Sequence, residues 1–74
     1  MEFNGTKIKE LRQAKGYSLE RLARAVQRRL EGDLSRSAIA QWESGTTRPT
    51  IRHLCALADT LGVRDVNLFF SSPG

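Results

Sequence analysis

The sequence predicts an all-α domain of five short helices, and three observations lead there. Apolar residues recur at helical spacing along most of the chain, glycines interrupt that periodicity, and Ser or Thr stands where the second, third and fourth runs begin. Strand-like alternation appears nowhere over a useful length.

In the first segment Ile8 and Leu11 are three apart, and Gly16 closes it in a position suited to left-handed backbone. Ser18 is a good cap for the second helix, with Glu20 in its first turn. Leu19, Leu22, Ala23, Val26 and Leu30 then form one stripe, so this helix is expected to run through Leu30 before Gly32 and Asp33 stop it. Ser35 caps a third helix with Ala38, Ile39 and Trp42 on its inner face and Gly45 at its end. Thr46-Thr47-Arg48-Pro49 reads as a loop, because Pro49 disfavours helical geometry at Arg48. Thr50 caps a fourth helix with Ile51, Leu54, Cys55, Leu57, Ala58 and Leu61 inward, closed by Gly62. Asp65 to Phe70 is expected to form a short last helix carrying Val66 and Phe69, with Phe70 as a further candidate.

Length and charge narrow the function. Seventy-four residues with 39% hydrophobic types make one small core, expected over residues 1–70 with a frayed tail at 71–74. Conformational entropy of about 110 kcal/mol opposes folding, so little apolar material is left to wall an enzyme pocket. The chain carries 12 Lys and Arg against 8 Asp and Glu, a net charge of +4. The whole excess lies in residues 1–37, which points to an anionic partner. No apolar run is long enough to span a membrane, and Cys55 is the single cysteine, so a cytoplasmic protein is expected. His53 and Cys55 do not face one another on a helix, and no carboxylate completes a triad or metal site, so no enzyme, cofactor or metal is expected.

The densest constellation runs from Ser18 to Gly45: an amphipathic helix, a glycine-containing turn and a helix with small polar residues outside. A helix that lies in the major groove needs short or hydrogen-bonding outer residues, and Arg36, Ser37, Ala40 and Gln41 fit that need.

With Ile8-Lys9-Glu10-Leu11-Arg12, Lys15-Gly16-Tyr17-Ser18, Leu22-Ala23, the Ser35-to-Gly45 segment, Arg48-Pro49-Thr50 and Leu57-Ala58-Asp59-Thr60-Leu61-Gly62-Val63, the chain resembles the lambda-repressor-like, Cro/C1-type (XRE) helix-turn-helix DNA-binding family. The resemblance implies a five-helix domain that reads double-stranded DNA with its third helix. It puts Arg36, Ser37 and Gln41 at base-reading positions. It puts Ser18, Ser35, Thr46, Thr47 and Arg48 against phosphates, although Leu19 stands where relatives often carry Gln. Arg12 and Glu43 match positions that pair as a buried salt bridge in relatives.

The chain departs from the family between Ala23 and Ser35, which is longer here by about six residues. An extended second helix is the expected use of the surplus, bringing Arg28 and Arg29 near the DNA backbone. They could equally do no more than solvate that helix. A homodimer on a palindromic operator is expected, joined through Val66, Leu68, Phe69 and Phe70, with Val63 nearby. The alternative for these two Phe rings is to cover the core. No small-molecule ligand or sensing domain is expected. The rival functional reading is an antitoxin or adaptor-type protein-interaction module on the same fold.

Overall fold

Every α-helix starts at a residue whose side-chain oxygen accepts a backbone N–H of the first turn. In the computed structural model, which describes residues 2–71, these are Asn4, Ser18, Ser35 and Thr50, accepting from Thr6, Arg21, Ala38 and His53 at 3.1–3.3 Å. Such a cap contributes about 0.5–2 kcal/mol relative to Ala. Four α-helices follow: α1 (Gly5–Ala14), α2 (Leu19–Gln27), α3 (Arg36–Ser44) and α4 (Ile51–Leu61). The fifth helix is instead a single 3-10 turn, Val66–Phe69, with Asp65 Oδ1 accepting from Asn67 N at 3.0 Å.

Two short strands close the ends. β1 (Glu2–Phe3) pairs antiparallel with β2 (Phe70–Ser71), Glu2 opposite Ser71 and Phe3 opposite Phe70. The Phe3 and Phe70 rings meet edge to face at 5.8 Å. Two residues per strand are too few to show alternation, so this ribbon left no periodic trace in the sequence. Ser71, expected in a frayed tail, belongs to β2; residues 72–74 lie outside the described ones.

The second helix ends earlier than expected. α2 stops at Gln27: the Arg28 amide still reaches back four residues to Arg24 O at 3.2 Å, but the next two reach back only three, Arg29 N to Val26 O at 3.0 Å and Leu30 N to Gln27 O at 3.1 Å. One tight turn keeps Leu30 on the apolar side, half-buried against the core, so the stripe survives although the helix does not. The chain then bends through Gly32, and the Gln27 amide ties down its return, donating to Asp33 Oδ1 at 3.3 Å and accepting from Leu34 N at 3.4 Å.

Ile8, Leu22, Val26, Ile39, Leu57 and Phe69 are the largest wholly buried side chains, one or more from every α-helix and the 3-10 turn. On α4 the buried arc is Leu54, Ala56, Leu57, Ala58 and Leu61. Packing against both α2 and the 3-10 turn takes Ala56 inside and leaves Cys55 exposed, against expectation. Ile51, also expected inward, is 72% exposed at the first position of α4. Phe69 is corrected too: with no exposed surface it belongs to the core and has nothing to offer a partner chain.

Candidate nucleic-acid interface

α3 is held from behind and left open in front. Ile39 is fully buried and Trp42 nearly so, and together they fix the rotation of the helix against the body. Arg36, Ser37, Gln41 and Ser44 then fall on the outer face, all exposed, with Ala40 half-buried among them. Arg36 is the first residue of α3, directly after the Ser35 cap.

The far end of α3 is equally defined. Gly45 adopts φ 81°, and Thr46 N reaches back to Gln41 O at 2.9 Å, the long bond that reverses the chain at a helix end. The Ser44 hydroxyl donates to the same carbonyl at 3.1 Å and meets Thr46 Oγ1 at 2.9 Å. Thr46, Thr47 and Arg48 therefore leave α3 along a set path and stay exposed before Pro49.

Two tertiary contacts fix where α3 sits. Arg12 Nε and Nη2 grip Glu43 Oε2 and Oε1 at 2.7 and 3.3 Å, while Nη1 donates to Tyr17 O at 2.9 Å. The two side chains are 11% and 8% exposed, so the fork joins α1, the α1–α2 turn and α3 largely out of water. The second contact is at Gly5. A Cβ there would overlap the Trp42 carbonyl oxygen and lie 2.9 Å from that of Glu43. Only glycine allows the start of α1 to approach the end of α3 so closely.

The expected phosphate-side residues divide by geometry. Ser18 and Ser35 are exposed at helix starts, with their oxygens engaged as caps. Arg28 is exposed as the capping residue directly after α2, whereas Arg29 folds back so that Nη1 donates to Ala25 O at 3.4 Å near the helix end. Of the surface expected to join two copies, Leu68 is 47% exposed, and Val66 and Phe70 are half-buried. The Gln27 tie and the Gly5 contact carry no local sequence signal, since one spans six or seven residues and the other is an approach of two backbones.

A helix-turn-helix family model matches residues 8–66, spanning α2, α3 and α4 whole and α1 from Ile8 onward. The chain belongs to the Cro/C1-type (XRE) helix-turn-helix family. Comparison with curated proteins gave no match. In this helix-turn-helix domain α2 and α3 are the two helices that name the motif, and the family role is DNA-binding regulation. Among the described residues no helix is long and apolar enough to cross a membrane. Nor do three or more His, Cys, Asp or Glu side chains gather there as a metal site.

Proposed function

We propose that this domain is a sequence-specific regulator of transcription that reads duplex DNA by inserting α3 into the major groove. One observation carries the reading: α3 exposes Arg36, Ser37 and Gln41 on one face while Ile39 and Trp42 lock the opposite face. A guanidinium can bond guanine O6 and N7 together, a Gln amide pairs with adenine N6 and N7, and a Ser hydroxyl serves several bases. Ser18, Ser35, Thr46, Thr47, Arg48 and Arg28 stand around that face as backbone contacts, with Arg29 able to join them by releasing Ala25 O.

A single α3 covers few base pairs, so two copies on a palindrome, with half-sites about 34–36 Å apart, supply the affinity. Leu68, Val66 and Phe70 are the surfaces on offer for that pairing. Repression of its own operon fits a small reading head of this kind.

Selection of bound sites from a random duplex pool tests the reading. A recovered palindrome, with Gln41→Ala relaxing one position by about 1–3 kcal/mol, is the expected result. Equal, weak and salt-labile binding to all sequences would overturn it and favour the antitoxin or adaptor reading.

A further inference from the structure

The outer ridge of α2, with its capping residue, carries a concentration of charge, and two of its arginines, Arg21 and Arg24, have no part in the helix-turn-helix reading. Arg21, Arg24 and Arg28 lie at i, i+3 and i+7, opposite the buried Leu22, Ala23 and Val26, and all three are exposed. They line adjoining shallow clefts. One holds Arg21, Arg24 and Arg28 beside Tyr17 and Ala25. The next holds Arg24, Arg28 and Gln27. The third holds Arg24 and Gln27 together with Leu34 and Arg36, and so reaches the start of α3. Arg24 is common to all three, which makes the strip continuous from Tyr17 to Arg36.

Four arginines line these clefts, against the single carboxylate of Glu20, which bonds Arg24 Nη2 at 3.1 Å. Both members of that pair are more than half exposed, so it exchanges readily with other partners. Asp33, the next acid along the chain from Leu34, is turned to the Gln27 amide. The strip thus accounts for three of the four excess positive charges of the chain.

We propose that this strip is a second DNA-contacting surface, which grips the phosphate backbone flanking the half-site read by α3. The proposal rests on the DNA-reading role of α3 for its orientation. Arg36 belongs both to the outer face of α3 and to the strip, so a duplex seated on α3 has its adjoining backbone beside Arg24. Arg28 and Arg21 then take phosphates farther out, with the flanking duplex leaning toward α2. Long guanidinium side chains on a helix ridge suit a phosphate track, because each bonds two oxygens without reading a base. The partner is DNA rather than an acidic protein because the strip is continuous with the groove-facing helix.

The test compares the native chain with Arg21→Gln/Arg24→Gln/Arg28→Gln on two duplexes. One ends flush with the selected site, and the other extends it by about ten base pairs on each side, one helical turn. Circular dichroism checks that the variant folds, and titrations over a salt series give the slope of log affinity against log salt. On the extended duplex the variant should lose about 2–3 units of slope; between roughly 50 and 200 mM salt each lost contact is worth about 3.5-fold. The native chain should prefer the extended duplex, and the variant should not. Equal slopes for the two proteins on the extended duplex would overturn the proposal, and so would an equal loss on the flush duplex. The same series on a random-sequence duplex separates the two readings. There the strip still contributes slope even if α3 proves to read no sequence.

Discussion

Replacing Glu43 with Gln keeps the shape of the side chain and removes its charge, leaving Arg12 facing a neutral amide in a site where the native pair is 11% and 8% exposed. Breaking one side of a buried ion pair costs about 3–5 kcal/mol, mostly from the stranded charge. Arg12 keeps its bond to Tyr17 O, so the lower end, about 3 kcal/mol, is expected. A 74-residue domain is stable by about 4–11 kcal/mol, so the loss is a large share of the whole. At about 4–8 °C per kcal/mol the midpoint should fall by roughly 12–24 °C. Urea unfolding followed by circular dichroism, with the thermal melt beside it, measures both. The double variant Arg12→Met/Glu43→Leu should recover most of the loss, because an apolar pair of similar volume carries no stranded charge. A loss below about 1 kcal/mol for Glu43→Gln would refute the reasoning and class the fork with solvated surface pairs.

Gly5→Ala would ordinarily help a helix by about 0.5–1 kcal/mol, but here the methyl meets the Trp42 carbonyl, so destabilisation by about 1–3 kcal/mol is expected in a thermal melt. Gln27→Glu sets a carboxylate against Asp33 and should weaken both stability and site selectivity. Adding Asp33→Asn reverses the donor and acceptor of that bond at unchanged net charge and should restore them, as read by melting and by competition between selected and random duplex. Phe69→Ala should cost about 3–5 kcal/mol by emptying a wholly buried site, whereas Leu68→Glu should stay within about 0.5 kcal/mol. A loss below about 1 kcal/mol for Phe69→Ala in urea unfolding would put its place in the core in question.

What could be read in advance follows from how far each interaction reaches along the chain. Ser18, Ser35 and Thr50 cap their own first turns, so their role is visible within four residues. The outer face of α3 follows from the spacing of Ile39 and Trp42 alone. The end of α2 is not legible in the stripe, because Leu30 meets the core from a tight turn as well as it would from a helix. On α4, periodicity could not choose between Cys55 and Ala56, since the choice depends on which neighbours pack beside it. Phe69 and Phe70 look alike in sequence, yet one fills the core and the other lies half-buried against Phe3. Gly5 could not be recognised at all without knowing that α1 begins where α3 ends.

Trp42 is the only tryptophan, and it sits on the back of the helix proposed to enter DNA. Its indole lies 5.3 Å from the imidazole of His53, which in turn shares a 2.7 Å hydrogen bond with the Thr50 cap of α4. The emission of this indole therefore follows its approach to His53, where the back of α3 meets the first turn of α4. Trp42 is 5% exposed, on the face of α3 opposite Arg36, Ser37 and Gln41, so a duplex held as proposed would not bring bases against it. A shift of its emission maximum when duplex is added therefore reports a change around the indole inside the protein, and an unlabelled sample is enough to record it.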